Sequence, residues 1–196
     1  MHLNRCVPKI LLVLTLLLTG CSALNRDAES QLKALRSRWQ ESAGISARAA
    51  LTADYGERVY EYTVAVEGNA QAGTMTVEEP ENIAGAVLQW SDGTTSLTCE
   101  DTTLETGALD ESGLSPADAV PVLIASCQTG RALECAWEEE LLYVLLEHPS
   151  RHELTAACWL EPETGGLRRW ELAENGRTVL TMNFTECTLL PPSEAS

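Results

Sequence analysis

Apolar residues first recur at helical spacing. Leu24, Ala28, Leu32, Leu35 and Trp39 follow one another at steps of four and three among charged neighbours, which predicts one amphipathic helix. Gly44 lies just beyond it, where a helix stop is expected. From Ser46 the period becomes two. Ala47, Ala49 and Leu51 alternate with other residues, and Tyr60, Tyr62, Val64 and Val66 form the apolar set of a strand from Val59. Gly68-Asn69 turns the chain into a second arm, Gly73 to Val77, and Glu79-Pro80-Glu81-Asn82 breaks it. Ile83 to Trp90 reads as the next strand, Ser91-Asp92-Gly93 as a tight turn, Thr95 to Cys99 as the return arm, and a short arm follows around Leu104.

The middle changes character. Ser115-Pro116-Ala117-Asp118 reads as a helix start, with serine at the N-cap, proline at the first helical position and an acid near the positive helix end. The helix would carry Val120, Leu123, Ile124 and Cys127 and stop before Gly130, with Pro121 in its early turns. Strands then return at Leu141 to Leu146, ending at His148-Pro149, and at Leu154 to Leu160, Leu167 to Leu172 and Thr178 to Phe184, the last three joined by Glu163-Thr164-Gly165-Gly166 and Glu174-Asn175-Gly176. The order is helix, about five strands, helix, about four strands. The fold class it predicts is α+β: a single strongly curved antiparallel sheet, an unclosed β-barrel, with about two helices packed on its concave face.

The first 20 residues stand apart. Arg5 and Lys9 flank an apolar run from Ile10 to Leu18, too short to span a bilayer and suited to an export signal. The run ends Leu18-Thr19-Gly20-Cys21, which resembles the lipobox of bacterial lipoproteins. That resemblance implies a signal peptide over 1–20 and a diacylglycerol on Cys21. Residues 21–26 then form a lipidated N-terminus and short tether, residues 27–190 one domain, and residues 191–196 a polar, disordered tail. The expected location is the extracytoplasmic face of a bacterial membrane, with two acyl chains giving stable anchoring where one does not.

Charge narrows the partners. Without residues 1–20 the chain keeps 176 residues and 11 basic against 29 acidic side chains, a net charge of −18. That disfavours nucleic acid and an anionic headgroup surface as docking partners. Five cysteines follow Cys21: Cys99, Cys127, Cys135, Cys158 and Cys187. Cys127 and Cys135 flank the Gly130 turn and would close a small disulfide loop; the other three sit in strand-like runs, where cysteine behaves as a small apolar residue.

Catalytic signatures are missing from the sequence: there is no G-x-S-x-G, no H-E-x-x-H and no phosphate loop. His148 and His152 flank Pro149 in what reads as an exposed turn, and Glu138-Glu139-Glu140 as a solvated charge run. The expectation is a non-enzymatic protein with no metal and no cofactor.

Several segments resemble the outer-membrane lipoprotein carriers and receptors, the LolA/LolB-like proteins, and related Gram-positive lipoproteins. They are Val77-Glu78-Glu79-Pro80 followed by Ile83-Ala84-Gly85, then Leu104-Glu105-Thr106-Gly107 leading to Leu114-Ser115-Pro116. Trp159-Leu160-Glu161-Pro162-Glu163-Thr164-Gly165 follows, with Arg169, Glu171, Gly176 and Phe184. The resemblance implies a concave apolar cavity beneath the helices that takes an acyl chain, lipid or lipidated peptide. Its candidate lining is Tyr60, Tyr62, Val64, Trp90, Leu123, Trp170, Leu172, Met182 and Phe184. A solid core needs the same residues. Anchored relatives of spore-forming bacteria act in germination through protein partners, so the resemblance also implies a scaffold that works through one.

Overall fold

The computed structural model describes residues 27–91, 94–99, 102–107, 115–117 and 119–192. The expected export segment, Cys21, its tether and the tail from 193 onward lie outside the described residues. Helix α1 covers 27–41. Eleven strands follow: β1 Gly44–Asp54, β2 Val59–Gly68, β3 Ala72–Glu79, β4 Val87–Ser91, β5 Thr94–Cys99, β6 Thr102–Gly107, β7 Arg131–Glu138, β8 Leu141–Glu147, β9 Leu154–Leu160, β10 Leu167–Glu174 and β11 Arg177–Leu190. Helix α2, Ala119–Thr129, separates β6 from β7.

The strands form one antiparallel sheet in the order β6-β5-β4-β3-β2-β1-β11-β10-β9-β8-β7. It is two consecutive meanders joined where β1 pairs with β11, from Gly44↔Leu190 to Ala53↔Leu180. Thus β6 and β7 are opposite edges of the sheet, and α2 lies on the connection that carries the chain from one to the other. The α+β class and the unclosed barrel follow from this order.

Period two sorts the faces. Along β1, Ile45, Ala47, Ala49, Leu51 and Ala53 are all buried, and their register neighbours Val64 and Val66 on β2 continue the inner row. On β11 the inner set is Leu180, Met182 and Phe184, then Cys187 and Leu189, because a bulge at Thr185 shifts the register between Arg48 and Ala49. Without that extra residue the last two side chains would turn outward.

The helices are fixed by side chains reaching backbone carbonyls. Arg36 on α1 donates to Gly130 O (2.6 Å) and Gln40 to Gln128 O (2.9 Å), satisfying carbonyls at the C-terminal end of α2, where a cation also suits the helix dipole. Gln128 in turn donates to Trp39 O at 3.1 Å. At the turn between β9 and β10, Gln31 donates to Pro162 O (2.7 Å) and Trp39 Nε1 to Gly165 O (3.0 Å). Of the predicted stripe, Ala28, Leu35 and Trp39 are buried in the core and Leu32 packs against it partly buried, while Leu24 lies outside the described residues.

Four boundaries differ from the sequence expectation. Residues 81–83 form a 3-10 turn after Pro80, so β4 starts at Val87 and not at Ile83. Helix α2 starts at Ala119: Ser115 and Pro116 form a turn ahead of it, in which Ser115 Oγ accepts from Ala117 N–H. Pro121 then falls in the first helical turn, where its missing N–H leaves no internal bond unmade. Strand β7 was not expected. It is an edge strand, largely exposed, and the register shift between Ala132 and Glu134 breaks its alternation. Strand β11 runs on to Leu190.

Trp90 illustrates how tightly the β2–β3 end is packed. It is 2% exposed and donates from Nε1 to Asn69 O at 2.9 Å. A Cβ on Gly73 would lie 2.4 Å from its Cζ2 and 2.7 Å from Glu67 O, so this position admits only glycine. Gly73→Ala is expected to lower stability by about 1–3 kcal/mol, the usual cost of overpacking, read as a lower urea midpoint with unchanged slope. An unaltered midpoint would show that the ring does not lie there.

Candidate functional site

The inner face of the sheet is not used evenly. On the β8–β11 side it is filled. Leu142, Val144, Leu154, Ala156, Cys158, Trp170, Leu172 and Leu180 lie beneath Leu123, Ile124 and Cys127 of α2, all within one buried cluster. Two polar atoms are enclosed there without a hydrogen-bond partner among the described residues, Ser126 Oγ and Trp170 Nε1.

On the β2–β5 side Leu51, Val64, Met75 and Leu88 are buried in the same cluster, but the inner face there keeps a cavity. A cavity of about 300 Å³ lies over Leu51, Tyr62, Val64, Met75, Val77, Leu88, Leu97 and Cys99, with Ile83, Ala86 and the Ser115–Ala117 turn completing its wall. Among the described residues no charged side chain lines it. The polar groups at its wall are the Tyr62 phenol, the Cys99 thiol and Ser115. Burial, with Tyr60 next to it, pushes the Tyr62 phenol above its ordinary value, so it is a neutral hydrogen-bond donor. Cys99 is exposed.

The predicted lining residues divide between the two halves. Tyr62 and Val64 line the cavity. Tyr60, 39% exposed, stands further along the same inner row and packs edge-on against Tyr55. Trp90 is a packed plug at the β2–β3 turn. Leu123, Trp170, Leu172, Met182 and Phe184 are buried in the core cluster. Sequence reasoning did not single out Met75, Val77, Ile83, Leu88, Leu97 and Cys99, although β3 and β5 carry the same alternation that marked β2.

A larger concavity, about 720 Å³, is an open groove bounded by Glu61, Glu78, Glu79, Glu81 and Pro80. Its carboxylates are in part engaged: Glu78 pairs with Arg48 at 2.6 Å and Glu79 accepts from Thr63 Oγ1 at 2.8 Å. It is the smaller cavity, with apolar walls on rigid strands, that has the character of a ligand site.

Cys99, Cys127, Cys135, Cys158 and Cys187 are all free. The sulfur that Cys127 faces is Cys158, at 3.9 Å, and not Cys135. α2 turns Cys127 inward onto β9, whereas Cys135 projects from the edge strand β7. The contact with Cys158 and burial hold the Cys127 thiol well above its ordinary range. Burial pushes Cys135 and Cys187 up to about 11. A raised pKa keeps the Cys127, Cys135 and Cys187 thiols protonated and poorly nucleophilic. Among the described residues no group of three metal-ligating side chains converges, and no helix is long and apolar enough to cross a membrane.

His148 and His152 lie at the β8–β9 turn. Burial holds His148 below its ordinary pKa, with Arg151 adding and Glu153 opposing. His152 Nδ1 lies 3.4 Å from Glu147 Oε2, a carboxylate also bound by Arg131 at 2.9 Å.

No family model matches the chain, and no curated protein matches it. Solved structures do. An outer membrane lipoprotein-sorting protein domain from Vibrio parahaemolyticus is 9% identical, with 83% of this chain and 93% of that one covered at a TM-score of 0.47. A LolA superfamily protein from Nitrosomonas europaea is 10% identical over 83% and 93%, at 0.43. A chain from the complex of the CwlD amidase with the GerS lipoprotein of Clostridioides difficile is 10% identical over 81% and 93%, at 0.43. The chain's own sheet is antiparallel and unclosed, with helices on its inner side.

The turn chemistry sets a pH dependence. Because native His148 takes up a proton less readily than the unfolded chain, its contribution is complete above about pH 6.5 and is lost as pH falls below it. Glu147, held below its ordinary value by Arg131, and Glu153, held there by a backbone hydrogen bond and Arg151, add stability that is lost at still lower pH. Melting temperature is therefore expected to fall in two stages on acidification, and His148→Gln is expected to remove the first stage only. A profile flat from neutrality down to the carboxylate range would contradict this.

Proposed function

We propose that this chain is a non-catalytic lipoprotein, held at the extracytoplasmic face of a bacterial membrane by a diacylglycerol on Cys21. In this role it takes one acyl chain, from a lipid or a lipidated peptide, between β2–β5 and the Ser115–Ala117 turn. The observation that carries the ligand is the apolar cavity of about 300 Å³ on the inner face of the sheet, lined by no charged side chain among the described residues. That volume is at the lower end of small-molecule sites and about twice that of a cavity that admits benzene, which suits one chain and not a whole lipid. Each buried methylene gains about 0.8 kcal/mol, so about eight of them supply roughly 6 kcal/mol before ordering costs. The Tyr62 phenol and Ser115 hydroxyl are the groups available to a carbonyl or headgroup oxygen at the wall.

One specific observation favours a second role, a scaffold acting through a protein partner. The inner face beneath α2 is solid, so half of the barrel serves as core and leaves its outer surface as the part offered to others.

Cys99 lines the cavity and is exposed, which makes its alkylation a direct readout of occupancy. Saturating medium-chain fatty acid is expected to slow iodoacetamide labelling of Cys99 in the purified full chain. Leu97→Trp, which fills the cavity, is expected to abolish that protection without lowering the melting temperature. Equal labelling rates with and without every chain length tested would refute the acyl-chain role.

A further inference from the structure

Strand β8 is apolar on both faces. Leu142, Val144 and Leu146 point into the core and are buried, while Leu141, Tyr143 and Leu145 alternate with them on the outer face. A continuous apolar run of this kind belongs to strands covered on both sides. On the other strands the outer face is mostly polar, with Glu61, Thr63, Thr74, Thr76, Gln89, Ser96, Thr181 and Asn183 on it and Val59, Ala65 and Val87 as scattered apolar positions. Across β8 and β9 the register instead sets Tyr143 beside Trp159 and Leu145 beside Ala157, with Ala136 of β7 next to Tyr143. The two aromatic rings lie 5.2 Å apart at their centroids.

The rim of this patch is acidic. Glu134 lies opposite Leu145 and Glu138 opposite Leu141, while Glu171 neighbours Ala157 on β10. Glu138 accepts from Trp159 Nε1 at 2.6 Å. Among the described residues the cation at the patch is Arg169, which is bound to Glu171 and lies 5.3 Å over the Trp159 ring. That contact shows that the indole face accepts a guanidinium here. The Tyr143 phenol is raised by burial and then by the field of Glu134, Glu138 and Glu171, so the negative potential reaches the centre of the patch.

We infer that the outer face of β8 and β9, centred on Tyr143 and Trp159, is a docking surface for a protein segment with an apolar centre flanked by lysine or arginine. Charge complementarity selects this occupant. A second copy of the chain would bring Glu134, Glu138 and Glu171 against their own equivalents, and a membrane with anionic headgroups would be repelled in the same way. The surface gives the partner role a location and stands whether or not the concave cavity takes a ligand.

The test is binding of two fluorescent amphipathic peptides, one alternating leucine with lysine and the other leucine with glutamate, to the purified full chain at physiological ionic strength. The lysine peptide is expected to bind and the glutamate peptide not to. Tyr143→Thr with Trp159→Thr is expected to weaken binding about tenfold or more, as loss of an aromatic anchor does. The triple change Glu134→Gln, Glu138→Gln and Glu171→Gln, which leaves the strands intact, is expected to do the same. A control triple in the acidic groove, Glu61→Gln, Glu79→Gln and Glu81→Gln, is expected to leave affinity unchanged. Equal losses in both triples would mean general attraction to an acidic protein and overturn this placement, leaving a partner role elsewhere open. Failure of the lysine peptide to bind would also overturn it. So would a dimer, seen by sedimentation, that the aromatic pair of changes dissolves, since the occupant would then be a second copy.

Discussion

The pairing of β1 with β11 is the constraint on which the rest of the structure depends. It joins the first strand of the chain to the last over Gly44↔Leu190 to Ala53↔Leu180. Each meander contains only local pairings and presents an apolar face that must be covered. Joining them at the chain ends makes β6 and β7 the two edges, so the chain must cross between edges in the middle of its sequence. Helix α2 is that crossing, and α1 secures its C-terminal end through Arg36 and Gln40.

The path of α2 divides the concave face. Its closest packing on the sheet is against β8, and Cys127 meets Cys158 of β9 while Leu123 and Ile124 join the core. Over β2 to β5, among the described residues, the short Ser115–Ala117 turn and a cavity lie against the inner face. An apolar surface of that kind is costly to leave uncovered. It is retained here on rigid strands, with glycine at Gly73 admitting the Trp90 ring at one end.

The alternation of Tyr60 through Val66, the helix stripe of Ala28, Leu35 and Trp39, and the turns at Gly68 and Gly165 made the helices and most of the sheet legible in the sequence. Strand β7 was hidden because a bulge at Leu133 breaks its period and an edge strand has little to bury. The division of the inner face into a solid part and a part with a cavity was not legible at all. Phe184 and Val64 belong to equally regular alternations and both end in the buried cluster, yet Val64 also lines a cavity and Phe184 does not, a difference that no alternation carries. The turn reading of Gly130 similarly pointed to Cys127 and Cys135 as a pair, whereas helix rotation turns Cys127 towards Cys158. The doubly apolar run from Leu141 to Leu146 was visible from the start, but it acquires meaning only once the sheet shows which of its faces is already covered.

The division of the concave face is tested most directly by a crystal structure of the chain grown with a terminally brominated medium-chain fatty acid. The account predicts an anomalous bromine peak among Leu51, Met75, Leu88 and Leu97, with α2 and the side chains beneath it unmoved. A peak beneath α2 beside Trp170, or a collapsed β2–β5 face with no bromine bound, would contradict it.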